Sequence, residues 1–263
     1  MWWGILMSAT WYACCLVGIS SMYQPVERLL SKQYPAKFKS LSTNSQSYCA
    51  KNVIKSAVLS ASVPATVYVM TLRLITGRWS HTTFARGIGS LYAANDVVAL
   101  YRVALPANTR IHHACVFAFS LCNLVLDYND ETSIFTNLGI LCGLSMLPCT
   151  VNAYLGLRKL TDASALALFG LLTYVPAFAM NLAWQTAAVI AATMNGDTTG
   201  AICWGGLCGM IFYDDLVLID HLITVVGERR PRPGPNASHI EVFRHIVQSR
   251  CAELKRIKMK GSQ

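Results

Sequence analysis

The sequence predicts an all-α fold: a polytopic membrane bundle of about seven transmembrane helices, with the N-terminus outside and the C-terminus in the cytosol. Three observations lead there. Of the 263 residues, 54% are hydrophobic and only 13% charged, whereas soluble domains carry about a quarter charged residues. Mean hydropathy is +0.40, and a surface so poor in charge needs lipid in place of water around it. Charge-free runs recur along the chain, and Lys and Arg gather on alternate connections between them. The composition argues against a soluble enzyme and against a disordered chain.

Residues 2–22 form the first run, with no charge before Glu27. No Lys or Arg precedes it, so it is expected to be a retained helix rather than a signal peptide. Residues 56–72, extending to 76, give the second span. Residues 87–105 give the third, interrupted by Asp96 and Arg102, and 111–126 the fourth. Residues 132–157 and 163–196 are the two long uncharged runs, the latter expected to kink at Pro176. Residues 198–227 close the set and carry Asp214, Asp215, Asp220 and His221.

Orientation follows from the basic residues. With the N-terminus outside, all but three of the 22 Lys and Arg fall on the cytosolic side; Arg73, Arg78 and Arg86 are the exceptions. The loop from Asp127 to Glu131, on the other side, is acidic. The net charge of +9 is thereby read as a topology signal, with contact to anionic lipid as its extension and no nucleic acid required. Three regions result: 1–50, a first helix with a basic cytosolic loop; 51–227, a six-helix membrane domain; and 228–263, a basic cytosolic tail. In the tail, Ile240, Phe243, Ile246 and Val247 recur at helical spacing after a Pro-rich stretch, so a short amphipathic helix is expected, solvated or docked on the membrane surface. The sequon at Asn236 would lie in the cytosol, unused.

Eight of the ten cysteines lie in apolar runs and none forms a C-x-x-C pair, so they read as small packing residues, with no metal site expected. Motifs for phosphate loops, nucleophile elbows and zinc proteases are absent, and the last span holds no lysine for a retinal Schiff base. His81, His239 and His245 fall in loop or tail and read as structural. No internal repeat is visible.

Ionisable groups inside the membrane cost several kcal/mol and are functional candidates for that reason (about 3 kcal/mol on insertion scales). Asp96 sits near the centre of the third span, and His112 and His113 open the fourth. The histidines are either interfacial side chains beside Arg110 or a general base and nucleophile. Asp96 either bonds across helices or orients a histidine ring. Adjacent Asp214 and Asp215 resist joint ionisation; either one faces a wet cavity, or the last span ends early and the pair sits at an interface. Asp214 and His221, seven apart, share one helix face.

These residues resemble the TLC-domain family of membrane proteins. Residues 34–55 (YPAKFKSLSTNSQSYCAKNVIK) are similar to the basic loop leading into that domain. Tyr92-Ala-Ala-Asn-Asp96 followed by Ile111-His112-His113 is similar to the family's membrane aspartate and paired histidines, and Leu147-Pro-Cys-Thr-Val-Asn152 to its Ser-Thr-Pro-Phe-x-Asn segment. The chain departs from the ceramide synthases of the family in lacking a further acid between Leu141 and Asn152, and from shorter members in carrying Ser145 where they have glutamate.

The resemblance implies a bundle that binds a long-chain acyl or sphingoid lipid, in the endoplasmic reticulum or another endomembrane. His112 and His113 would be its catalytic pair, with Asp96 as an accessory carboxylate. Beside the resemblance, Asn152, Asp214, Asp215 and His221 are expected to contact substrate. The implied chemistry is N-acyl transfer, with acyl-CoA as co-substrate and no resident cofactor. The alternatives are a non-catalytic lipid-regulating protein, a proton-coupled transporter using Asp96, Asp214 and His221, and a receptor-like seven-helix bundle. Membrane lipids are the expected partners, with a homodimer left open.

Overall fold

The structure is a computed structural model that describes residues 2–79, 82–128, 130 and 132–226; the tail helix and the sequon lie outside the described residues. Among these residues the chain is helical, with no strand. The helices are α1 (Trp2–Gln33), α2 (Pro35–Lys39), α3 (Thr43–Thr76), α4 (Thr82–Arg102), α5 (Ala107–Val125), α6 (Leu138–Met146), α7 (Cys149–Leu157), α8 (Ser164–Met194) and α9 (Thr198–Val226). A 3-10 turn, Ile134–Asn137, leads into α6.

Local chemistry explains the breaks. Pro35 starts α2 at a position where its missing N–H costs nothing. The Ser42 hydroxyl accepts from the Ser45 amide at 3.3 Å and caps α3. Gly77, at φ +71°, ends that helix in the left-handed region. Pro148 cannot donate to the preceding turn, and α6 and α7 meet there at 49°. The Asp197 carboxylate accepts from the Gly200 amide at 2.9 Å, at the head of α9.

Helices α1, α3, α8 and α9 are long and apolar enough to cross a membrane, and the bent α6–α7 pair brings the number to five. Helices α4 and α5 fall short of that apolarity. They carry Arg86, Asp96, Arg102, Arg110, His112 and His113, and the last two, with Asp96, are buried against their neighbours.

Contacts along the helices fix their directions. Trp11 Nε1 donates to Gly87 O at 3.0 Å and Arg102 donates to Ser20 at 3.1 Å, so α1 and α4 run the same way. Tyr12 pairs with Ser120, and Asn123 donates to Arg86 O, so α5 runs back between them. Asn44 exchanges hydrogen bonds with Ala104, and Lys159 donates to Ser45. The 34–42, 103–106 and 158–163 connections therefore share one end of the bundle with the C-terminal end of α9.

The main core cluster joins α1, α3, α4, α5, α6 and α9. At its centre Trp204 is fully buried against Phe119 and Phe135. Its indole donates to Gln185, whose amide donates to Asn181, which donates to Leu141 O at 3.2 Å. Three helices are thus tied by a satisfied polar chain, as apolar surroundings demand. Large apolar side chains such as Trp3, Val17, Ile75, Leu172 and Ile202 point outward, the pattern of a surface solvated by lipid.

One contact sets up the functional end. A β-carbon on Gly156 would lie 2.8 Å from Val53 Cγ2 and 3.0 Å from the Val53 amide nitrogen. Only glycine lets the α7 backbone lie so close to α3, and Lys51, Asn52 and Lys55 line one cavity with Asn152, Leu155 and Arg158.

Candidate functional site

The shared end of the bundle encloses a chamber of about 460 Å³. Helix α3 contributes Tyr48, Lys51, Asn52 and Lys55 to its wall, and α5 contributes His112 and His113. Asn152 and Arg158 come from α7 and its C-terminal end, Tyr174 from α8, and Asp214, Asp215 and His221 from α9. Six of the seven residues singled out from sequence thus line one space. The seventh, Asp96, is 0% exposed and stands directly behind the wall.

Asp96 organises that wall. Its Oδ1 lies 2.5 Å from Lys55 Nζ and 3.2 Å from His113 Nδ1. His113 Nδ1 is also 2.9 Å from the Asp96 carbonyl oxygen. Both neighbours of Nδ1 are acceptors, so the ring carries its proton there, and Nε2 presents a lone pair on the other side. That nitrogen is 3.5 Å from Lys51 Nζ. His113 is thereby held by a carboxylate from another helix, with its basic nitrogen turned toward Lys51, a geometry compatible with general-base chemistry.

His112 repeats the arrangement less tightly. Its Nδ1 is 3.4 Å from Asp214 Oδ2, yet the nitrogen has no aligned hydrogen-bond acceptor. The contact is therefore electrostatic, and the ring keeps an unsatisfied polar atom. The two imidazole centroids are 5.6 Å apart. Asp214 Oδ1 accepts from Asn108 at 2.7 Å and from Thr109 at 3.2 Å. Asp215 takes a different partner, the Tyr174 hydroxyl at 2.6 Å. Helix α9 runs on past the pair to Val226. One carboxylate serves α5 and the other α8, which resolves the crowding of two adjacent acids.

His221 accepts from the Tyr154 hydroxyl at 3.0 Å and contacts the Arg158 guanidinium. It shares the chamber with Asp214, as their seven-residue spacing required. Asn52 donates to Tyr48 O, but its Oδ1, like Asp96 Oδ2, lacks a partner. Buried acceptors of this kind are costly unless something donates to them.

Sequence reasoning missed the α3 contribution. Lys51 and Lys55 counted there only as orientation charges. Their spacing of four, with Tyr48 and Asn52 on the same face, is the signal that would have found them. Arg158 and Tyr174 had no such signal, because neighbours on other helices decide their placement.

A smaller void shares part of the chamber's wall. Tyr92 and Ser145 belong both to that wall and to a narrow slot of about 20 Å³, lined by Ala93, Val116, Phe119 and Leu141. Gly89 and Cys142 line both that slot and a second one beside Trp79 and Tyr128. Among the described residues, no group of three or more His, Cys, Asp or Glu is arranged to hold a metal ion. No protein-family model, curated protein or solved structure matches the chain.

Proposed function

We propose that the chain is an integral membrane protein of TLC type that binds a long-chain lipid and transfers its acyl group from a coenzyme A thioester to an amine. In this reading seven segments cross the membrane, N-terminus outside, and the chamber faces the cytosol. An endoplasmic reticulum or other endomembrane address comes with the family resemblance. The observation that carries the proposal is the joint placement of two carboxylate-backed imidazoles on a polar chamber whose Tyr92 and Ser145 wall also lines an apolar slot.

The chemistry uses this division. The reacting head sits in the chamber and the methylene chain in the slot, which is narrow enough that the chain enters by displacing side chains. His113 Nε2 takes the proton of the incoming ammonium. The freed amine attacks the thioester carbonyl carbon, its second N–H proton passes by way of His112, beside Asp214, to the sulfur, and the C–S bond breaks to release thiol and amide; the His113 imidazolium then gives its proton to solvent. Asp96 orients His113 and holds Lys55. A proton-relay reading fits less well, because Asp96 is locked behind the wall between Lys55 and His113 rather than open to a path.

The test supplies purified protein with acyl-CoA and sphingoid or other long-chain amines. His113→Ala and His112→Ala should each lower amide formation by about 10²–10⁴-fold, the range for general acid–base groups. Equal turnover in wild type and variants would leave lipid binding without catalysis by the histidines.

A further inference from the structure

Two lysines line the chamber, and their surroundings differ. Lys55 is spent: its ammonium lies 2.5 Å from Asp96. Lys51, one turn earlier on α3, is 6% exposed, and no carboxylate of the described residues lies within ion-pair distance of it. Its Nζ instead sits 3.5 Å from His113 Nε2, the nitrogen left with a lone pair, and beside the Tyr48 ring. A buried primary amine with a base in contact and a cavity in front of it has the parts of a carbonyl-capturing nucleophile.

We infer that Lys51 is a covalent capture site for long-chain aldehydes, its Nζ forming a Schiff base while His113 Nε2 takes up and returns the proton. The inference rests on the lipid-binding reading of the chamber and names a second substrate class for it. The Lys51 ammonium gives one proton to His113 Nε2. The amine lone pair adds to the aldehyde carbon, and one N–H proton passes to the former carbonyl oxygen, giving a carbinolamine. The imidazolium then returns its proton to that hydroxyl, the C–O bond breaks, and water leaves. Lys51 ends as a protonated imine and His113 as the neutral ring, so charge and atoms balance without oxidant or reductant. An aldehyde suits the site better than an ester, because an imine hydrolyses back whereas an acylated lysine would block the chamber. The carbonyl stays in the polar chamber, and Tyr92 and Ser145 lead its chain toward the slot.

The experiment incubates the full chain in detergent micelles with hexadecanal and sodium cyanoborohydride, then maps reduced adducts by peptide mass spectrometry. The expected result is one alkyl chain on Lys51, with Lys55 in the same chamber unmodified. His113→Asn should slow its formation by about 10²-fold or more, and Lys51→Arg, which keeps the charge, should abolish it. Adducts spread over exposed Lys37, Lys39 and Lys159 without enrichment at Lys51 would overturn the inference, as would unchanged capture in Lys51→Arg. Binding of hexadecanol, which cannot form an imine, is measured in parallel. Alcohol binding without trapping at Lys51 removes the Schiff base alone, and no binding of either lipid removes the lipid-binding reading as well.

Discussion

Asp96 works on two partners at once, and this decides what its loss does. The carboxylate is fully buried, neutralised by Lys55 and aligned with His113. Removing one partner of a buried ion pair leaves an uncompensated charge, which costs about 3–5 kcal/mol, whereas replacing both by apolar groups of similar size is often neutral. Lys55→Met should therefore lower thermal stability in detergent by about that amount, while Lys55→Met with Asp96→Leu should recover most of it. The double variant would still lose His113 orientation, so its stability and its lipid chemistry should part company. Equal melting of wild type and Lys55→Met would show that the pair does not hold the wall together. Here sequence reasoning was half sufficient. Asp96, His112, His113 and Asp214 stood out because charge is expensive in lipid. Lys55 did not, because a lysine ahead of an apolar run also satisfies the positive-inside rule, and only the fold shows it turned inward.

At the scale of helices, charge-free runs located helices but not their ends. Residues 56–76 became the second half of α3, which begins at Thr43. The extra turns carry the polar face of the chamber, so a search for uncharged residues had to miss them. Helix α1 likewise continues past Glu27 to Gln33, because Leu30 packs with Phe38, Cys49 and Leu160 beyond the apolar run. The uncharged run 132–157 is cut at Pro148, as the chemistry of proline requires. Pro176 sits within the continuous α8. None of these runs revealed the α3–α7 contact at Gly156. A methyl group there meets Val53 backbone as well as its side chain, so relief requires one helix to move. Gly156→Ala should cost about 1–3 kcal/mol, the usual range for overpacking. It should also weaken lipid binding, since Lys51 of α3 and Asn152 of α7 both line the chamber. Thermal unfolding and lipid titration on one preparation check both effects, and a variant as stable and as tight as wild type would contradict the account.

For the molecule as a whole, the chamber and the basic connections lie at one end, and this couples function to orientation. A coenzyme A thioester is too polar to cross a bilayer unaided, so the proposed acyl transfer requires the chamber to open toward the compartment that holds it. With the orientation proposed from the positive-inside bias, the 34–42, 103–106 and 158–163 connections would lie in the cytosol, the same side that the proposed chemistry needs. The two arguments are independent, one resting on charge along the sequence and the other on where α3, α5, α7 and α9 converge. Single cysteines introduced at Thr161 and Thr132, in a background freed of native cysteines, report the two ends of the bundle. In sealed microsomes with the cytosolic face outward, a membrane-impermeant maleimide should label Thr161→Cys without detergent and Thr132→Cys only after permeabilisation. The reverse pattern would put the chamber in the lumen, away from cytosolic thioesters, and acyl transfer would lose its donor even if every side chain stood as described.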